Sequence, residues 1–368
     1  MPTYIHQLSD WPHFSWDTHT LAKQLAAVRL RQGQLIGRMQ ALGFPQQEEA
    51  VLTTLTEEVL KSSEIEGEKL DKDAVRSSLA RRLGMDAGAL PSADRNVEGV
   101  VEMMLDATQK FKAELTAERL FGWHASLFPT GRSNTKKITV GAWRNASAEP
   151  MQVVSGDYGR ERVHYEAPIA EKLDAEMTAF LDWYNAEEKI DPIVKAAIAH
   201  LWFVTIHPFE DGNGRIARAI ADMSLAHSEG IPQRFYSMST QIRAERKTYY
   251  EMLESTQKGD LNVTSWLDWF LGCLDRAFSG AETILASVLE KAEFWKRHAA
   301  AKINHRQREM LNRLLDGFEG KLTSSKWATI EKCSPDTALR DIQDLVDQRI
   351  LAKDAGGGRS TSYSLVSS

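Results

Sequence analysis

The residues of this chain best suited to chemistry form one string, His207-Pro208-Phe209-Glu210-Asp211-Gly212-Asn213-Gly214-Arg215, followed by Ile216-Ala217-Arg218. Gly212-Asn213-Gly214 can turn backbone N–H groups inward to form a concave nest for an anion. A helix is predicted to start there and run to about Ser228, with Gly230 as its stop. The positive end of that helix favours phosphate. Arg215 and Arg218, three apart, share a face of its first turns and can aim at one polyphosphate. Asp211 is a hard oxygen ligand beside the nest, suited to hold Mg²⁺ against phosphate oxygens. His207 is the side chain in the string fitted to take a proton near neutral pH. Base, metal ligand, nest and two arginines in so short a stretch describe a phosphate-transfer site built on a helix start. A Walker P-loop would instead need a lysine after the glycines.

The elements around this string read mostly as helix. Leu21 to Leu42 has helical apolar spacing and ends at Gly43 and Pro45; Glu48 to Lys61 continues in the same period. Ala93 to Phe111, Ala117 to Phe128, Ile169 to Asn185, Pro192 to Val204 and Leu261 to Phe278 show the same spacing. Gly141 to Pro168 breaks it. There Gln152-Val153-Val154 and Arg162-Val163-His164-Tyr165 flank Gly156-Asp157-Tyr158-Gly159 and read as a hairpin. From about Lys302 the chain looks separate. Ile303 to Leu315 and Ser325 to Lys332 are predicted helices. Ser334-Pro335 supplies an N-cap and an N1 proline for a third helix, which turns Ala338, Leu339, Ile342, Leu345 and Val346 inward. Arg349 to Ala352 and Thr361 to Leu365 flank the glycine run Gly356 to Gly358 as a small hairpin. Three helices and a hairpin is the order of a winged helix-turn-helix.

Composition sets the outer bounds. A length of 368 residues suggests two or three domains, and 42% hydrophobic with 26% charged residues is ordinary for a soluble protein. A net charge of −6 argues against coating nucleic acid by charge alone. Cys273 and Cys333 are far apart and fit neither a zinc nor a disulfide framework. Met1 to Trp16 has no apolar signal-peptide core and no run is long enough to span a membrane, so a cytoplasmic location is expected.

The string resembles the signature of the Fic family, His-x-Phe-x-(Asp/Glu)-Gly-Asn-Gly-Arg-x-x-Arg, and matches it at every defined position. The resemblance implies a mainly α fold: a Fic-type helical core with a β-hairpin flap, plus the C-terminal winged helix-turn-helix domain. The implied activity is protein adenylylation. With ATP and Mg²⁺ bound, His207 acts as catalytic base on a Ser, Thr or Tyr hydroxyl of a target protein, which attacks the α-phosphate as pyrophosphate leaves. Asp211 carries the metal. Asn213, Arg215 and backbone N–H groups take up charge, and Phe209 anchors the turn from the core. Gly141-Ala142-Trp143-Arg144 and the hairpin from Val153 to Pro168 look like the flap, where a target strand lies by strand addition. The implied nucleotide-binding set is Glu66, Val154, Ser155, Gly156, His207, Asp211, Gly212, Asn213, Gly214, Arg215, Arg218, Tyr249, Tyr250 and Gln257. Tyr249-Tyr250 resembles a pair lining the adenine pocket, and Gln257 stands where some members carry asparagine.

A second motif, Ser62-Ser63-Glu64-Ile65-Glu66-Gly67, resembles the family's inhibitory helix, (Ser/Thr)-x-x-x-Glu-(Gly/Asn). It implies that Ser62, Glu66 and Gly67 restrain the enzyme, with Glu66 gripping Arg218 bidentately. Trp11-Pro12-x-Phe14-x-Trp16 looks like the N-terminal extension of a bacterial subgroup that also carries a C-terminal winged helix. The resulting division is an N-terminal helical region at 1–92, a catalytic core at 93–280, a linker helix at 281–301 and the C-terminal module at 302–368. Self-modification is expected. Two alternatives remain open: removal of AMP on the same fold, with Glu66 aligning a water, and a DNA-binding regulator with a Fic-type sensor core. From Lys302 to Ser368 there are 11 Lys+Arg and 9 Asp+Glu, and the third helix carries Asp336, Asp341, Asp344 and Asp347 beside Arg340. Such a face repels phosphate, which leaves a homodimer or another protein contact open as well.

Overall fold

The computed structural model of the chain describes residues 4–85, 93–133, 135–146, 150–156, 162–187, 190–318, 320–354 and 361–366. It divides into two compact units, residues 1–284 and 285–368.

In the first unit the order is α1 (Thr18–Gln40), α2 (Phe44–Ile65), α3 (Lys72–Arg82), α4 (Arg95–Gln109), α5 (Ala117–Leu127), β1 (Arg132–Ser133), β2 (Lys136–Lys137), β3 (Gln152–Ser155), β4 (Arg162–Glu166), α6 (Leu173–Asn185), α7 (Pro192–Ile206), α8 (Asn213–Glu229), α9 (Met238–Ala244) and α10 (Arg246–Gln257). The long α11 (Thr264–Arg297) follows, and the division between units falls within it. The sequence reading had ended this helix at Phe278 and set a linker helix at 281–301. Its apolar spacing runs on past that point, so the expected linker at 281–301 is largely the continuation of α11 rather than a separate element.

α7 organises the core. Its run Pro-Ile-Val-Lys-Ala-Ala-Ile-Ala-His-Leu-Trp-Phe-Val-Thr-Ile is apolar almost all round, and every residue from Ile193 to Ile206 except Lys195 is buried. A helix of that character belongs inside a bundle. It packs along α8, whose first turns carry the glycine–arginine string, and α2, α4 and α5 also reach α8. α2 is fixed by a buried carboxylate: Glu58, 2% exposed, accepts from the Ser237 hydroxyl at 2.7 Å, from the Ser239 N–H at 3.0 Å and from the Ser239 hydroxyl.

β3 and β4 pair antiparallel, Val153 with Tyr165 and Ser155 with Arg162, with a register shift between Val153 and Val154. The expected hairpin is therefore present, while Asp157, Tyr158 and Gly159 of its turn lie outside the described residues. α3 was missed from sequence because its polar run gives almost no apolar periodicity. The β1–β2 pair was missed because two residues a side give none at all.

The second unit contains α12 (His305–Leu315), α13 (Ser324–Ile330), α14 (Pro335–Asp347) and the antiparallel pair β5 (Leu351–Lys353) and β6 (Tyr363–Leu365) around one apolar cluster that includes Met310, Trp327, Ile342 and Leu345. Ser334 caps α14 through the Thr337 N–H, as its position before Pro335 predicts. Leu339 was expected inside and is 49% exposed. The aspartates of α14 do not form one outward acidic face. Asp341 is buried and accepts from Arg306 at 2.7 Å and Asn304 at 2.9 Å, and Asp344 accepts from Gln307 at 2.7 Å. The glycine run Gly356 to Gly358 lies outside the described residues. No helix among the described residues is long and apolar enough to cross a membrane.

Candidate active site

The site begins where α7 stops. Pro208 disfavours the helical region for the residue before it, and His207 leaves the helix in the left-handed region at φ 52 while its N–H still closes on Phe203 at 3.0 Å. Such a conformation is uncommon for a residue other than glycine and needs support from its surroundings. Arg144 provides it. Its guanidinium donates to the His207 carbonyl at 2.9 Å and to the Pro168 carbonyl at 2.5 Å, and its backbone N–H donates to the Pro208 carbonyl at 2.8 Å. One buried arginine thus ties the base of the hairpin to the loop carrying His207. The imidazole is partly buried and its Nδ1 lies 3.3 Å from the Val204 carbonyl. Burial draws its pKa down from 6.5 to about 4, so the ring is neutral and able to accept a proton at neutral pH.

Phe209 is fully buried, as expected, and stacks on His124 with centroids 4.1 Å apart. His124 also reaches the Asp211 carbonyl at 3.2 Å. Burial draws this ring too down to about 4, which keeps it neutral. Asn213 uses its side chain to close the loop: its oxygen accepts from the Phe209 N–H at 3.0 Å and its amide donates to the Phe209 carbonyl at 2.8 Å. Its side chain is thus committed within the loop, and only its backbone, at the helix start, is left to meet an anion. Gly212, at φ 85, precedes α8, and a Cβ there would lie 2.9 Å from the Phe128 ring. Asp211, whose side chain is 40% exposed, accepts from the Gly212 N–H at 2.5 Å and from the Ser133 hydroxyl. Among the described residues no group of three His, Cys, Asp or Glu is arranged to hold a metal ion. A single exposed carboxylate beside a phosphate nest fits Mg²⁺ that is otherwise held by substrate oxygens.

Both arginines of the string are 2% exposed and both face carboxylates from the end of α2. Arg218 donates through Nε to the Ser62 hydroxyl at 2.9 Å and through Nη2 to the Ser62 carbonyl at 2.8 Å, and Nη2 also lies 2.8 Å from Glu66 Oε1. The grip is not the bidentate fork expected, since Nη1 has no hydrogen-bond partner. Burial is the largest influence on Arg218 and lowers its pKa, but Glu66 together with Tyr249 and Tyr250 outweighs it and the net shift is upward. The Glu66 carboxylate sits against Gly214, where a Cβ would collide with it. Arg215, whose guanidinium lies over the Phe128 ring, donates to Glu68 at 2.6 Å. Burial raises the Glu68 pKa, with Asp211 and Glu66 adding to the rise against Arg215.

Glu68 was not singled out from sequence, although a signal was there. Gly67 adopts φ 87 and the Glu68 N–H closes on the Ser63 carbonyl at 3.0 Å. This is the glycine-dependent reversal that ends many helices, and it turns the next residue back toward the bundle. A glycine after Glu66 followed by another acid therefore predicts two carboxylates at one place.

A cavity of about 660 Å³ opens beside His207. Of the sequence-predicted residues, Glu66, Val154, Ser155, His207, Gly214, Tyr249, Tyr250 and Gln257 line it. Gly156, Asp211, Gly212, Asn213, Arg215 and Arg218 do not. Tyr249 is buried and bonded to His200 at 2.9 Å, whereas Tyr250 is more exposed. Gln257 is buried and donates to the Thr205 hydroxyl at 3.3 Å. The structure also brings His164, Arg162 and Glu254 to the cavity wall, none of which the sequence reading had chosen.

Residues 114–225 match the Fic/DOC family and residues 4–85 match a domain of unknown function, DUF4172. The chain thus carries a Fic domain, and the matched span contains the whole His207-to-Arg218 string. It is 41% identical over 97 residues to protein adenylyltransferase fic-1 of Caenorhabditis briggsae, which is 26% of this chain and 18% of that protein. It is 27% identical over 217 residues to protein adenylyltransferase Fic of Culex quinquefasciatus, covering 58% of this chain and 38% of the relative. The matches thus span well under half of these relatives. The fold is similar to a Fic family protein from Desulfovibrio desulfuricans (TM-score 0.51, 20% identity, 94% of this chain and 96% of that one). It is also similar to a Fic domain-containing protein from Bacteroides thetaiotaomicron (TM-score 0.52, 22% identity, 70% and 96%).

Proposed function

We propose that this chain is a protein adenylyltransferase that moves AMP from ATP to a hydroxyl side chain of a protein, and that the end of α2 restrains it. The observation that carries the first part is the shared cavity. A neutral imidazole, the glycine of a helix-start nest and a paired tyrosine wall open onto one space. In this reading His207 takes the proton of the acceptor hydroxyl as the oxygen attacks the α-phosphorus and pyrophosphate leaves. Backbone N–H groups at the start of α8, with Arg215 and Arg218, carry phosphate charge. Asp211 would hold Mg²⁺, which supplies charge neutralisation on the polyphosphate. Among the described residues β3 pairs only with β4, which leaves its other edge for a target backbone.

The restraint rests on the Glu66 carboxylate, which sits over Gly214 and against Arg218, where a phosphate is needed. Glu68 does the same to Arg215. The C-terminal unit we read as a winged helix, from its three helices and strand pair. Incubation with labelled ATP and Mg²⁺ in a cell lysate, followed by mass spectrometry, tests the reaction: labelled protein carrying AMP supports it. Hydrolysis of ATP with no protein adduct, in both the native chain and a Glu66→Gly variant, would sink it.

A further inference from the structure

We infer that Glu254, on α10, is a positioning residue of the reaction: it fastens the outer half of the β3–β4 flap to the helical body, and so sets where an acceptor strand lies relative to His207. This rests on the transfer reading above and adds a determinant of acceptor use to the same site.

The hairpin is held at two levels. Near its base, the Tyr165 hydroxyl donates to the Thr205 carbonyl of α7 at 2.6 Å, and the Tyr165 ring is buried against Tyr4. Further out lie Val154, Ser155, Arg162, Val163 and His164. Among the described residues, the side-chain hydrogen bonds and ion pairs that leave this outer half all end on Glu254. Arg162 Nη2 donates to its Oε1 at 2.9 Å and His164 Nδ1 to its Oε2 at 2.6 Å. A carboxylate can only accept, so Nδ1 carries a proton whether the ring is neutral or charged. His164 Nε2 lies 2.6 Å from Ser155 Oγ, which carries the tie across to β3.

The strand geometry frees His164 for this contact. Val153 pairs with Tyr165 but Val154 with Val163, so the ladder passes over His164 as one extra residue of β4. Such a bulge re-aims a side chain, and here the imidazole goes to α10. Glu254 is equipped to receive both donors. Burial opposes its charge, but hydrogen bonds from Lys258, His164 and Arg162 outweigh it and draw the pKa to about 2. Lys258, one turn further along α10, donates to Oε1 at 2.7 Å and steadies the carboxylate from its own helix.

The placement of α10 gives the tie its consequence. Tyr249, Tyr250, Glu254 and Gln257 line the cavity from α10, and Ser155 and His164 line it from the hairpin. The helix that walls the cavity therefore also fixes the strand whose free edge is to receive a target. Val154 and Val163, 49% and 37% exposed, give the outer hairpin little apolar packing to hold it otherwise. A misplacement of about 1 Å far from the chemistry can cost about 10²-fold in rate, so a loosened flap should be felt at the acceptor hydroxyl.

Methyl-labelled Val154 and Val163 report hairpin motion by NMR. The Glu66→Gly chain incubated with labelled ATP, Mg²⁺ and cell lysate reports acceptor use. With Glu254→Gln added, both methyl signals should move and sharpen toward those of a mobile loop. Protein labelling should fall by about 10-fold or more, while ATP affinity by calorimetry changes less than about threefold. Glu254→Asp, which keeps the carboxylate, should retain more of both. Arg162→Gln with His164→Gln should reproduce the loss with Glu254 in place, and adding Glu254→Gln to that pair should cost nothing further, as for groups that act through one contact. The inference is overturned if Glu254→Gln leaves the methyl signals or the labelling unchanged, if ATP affinity falls as far as labelling does, or if the losses from the two sides of the contact simply add. Each of these leaves the transfer reading standing. Label on no lysate protein in the Glu66→Gly chain itself takes the transfer reading down and the acceptor role of Glu254 with it.

Discussion

Replacing Glu66 tests whether the end of α2 holds the enzyme back. Glu66 is the C-cap residue of α2 rather than an interior position, so glycine there spares the helix. What it removes is the carboxylate beside Arg218. That guanidinium is 2% exposed and its Nη1 already lacks a partner. A hydrogen bond to a charged group contributes about 1.5–3 kcal/mol, so the free enzyme should lose stability of that order. In a unit of this size the loss corresponds to a fall of roughly 3–5 °C in Tm. ATP, whose phosphates replace the carboxylate, should restore more stability in Glu66→Gly than in the parent. Freed from misplacement over Gly214, the α-phosphate should react about 10²-fold faster. Transfer of labelled AMP and thermal unfolding, each with and without ATP, are measured for the parent, Glu66→Gly, Glu66→Ala and both combined with Arg218→Ala. Activation should disappear with Arg218. The reasoning fails if neither Glu66 variant is faster than the parent, or if the Arg218 double variants are activated equally. Because Glu68 still covers Arg215, Glu66→Gly with Glu68→Gln should bind ATP more tightly than Glu66→Gly alone.

His207→Ala should lose transfer by at least about 10²-fold while calorimetry finds ATP binding nearly intact; parallel losses would make His207 a binding residue. The pKa of His207 is lowered by folding, so the neutral ring persists as pH falls below 6.5 and is lost only near 4, and its contribution to stability is lost over the same window. An NMR titration of the labelled ring in the free enzyme should show a midpoint near 4, and a midpoint near 6.5 would contradict the buried neutral base. Asp211→Ala should leave activity that rises only partly with added Mg²⁺, whereas indifference to the metal would remove Asp211 from that role. Val154→Pro, which removes a donor from the flap, should weaken modification of a protein acceptor more than ATP binding.

Much of the core could be read in the sequence because each signal there had one physical meaning. Gly230 stops α8 in the left-handed conformation expected of it, and Pro192 and Pro335 both open helices. The string from His207 to Arg218 also held together as one turn and helix start. What could not be read was set by distant partners. Nothing near Arg144 in sequence says that it will hold the His207 carbonyl, and nothing near Asn213 says that its amide will be spent on Phe209. The polar wall of Arg162, His164 and Glu254 joins residues some ninety positions apart, so no local spacing announces it. The acidic face assigned to α14 was misread for the same reason: Asp341 and Asp344 find partners on α12, and charge counted along a helix cannot show that. The glycine after Glu66 was legible but was read as part of a motif, not as the reversal that delivers Glu68.

The way α2 is held limits how the restraint can be relieved. Its middle is fixed in the bundle by Glu58, whose buried carboxylate accepts from Ser237 and twice from Ser239. Leaving a buried hydrogen-bonding group without its partners costs about 1–3 kcal/mol, and more for a charged one, so withdrawal of the whole helix would forfeit this anchor along with the apolar face around Leu55 and Val59. Its last turn is held more lightly. Glu66 is partly exposed, Glu68 is 43% exposed, and the contacts there are with the two arginines that ATP itself would engage. In the proposed reaction, polyphosphate would compete with the two carboxylates for Arg215 and Arg218 without displacing Glu58. Ser62 lies between these regimes, buried and bonded to Arg218 through both hydroxyl and carbonyl, so Arg218 can exchange Glu66 for phosphate while remaining aimed by α2. If α2 restrains the site as proposed, the same helix also positions one of its arginines, and deleting it should cost activity where trimming Glu66 raises it.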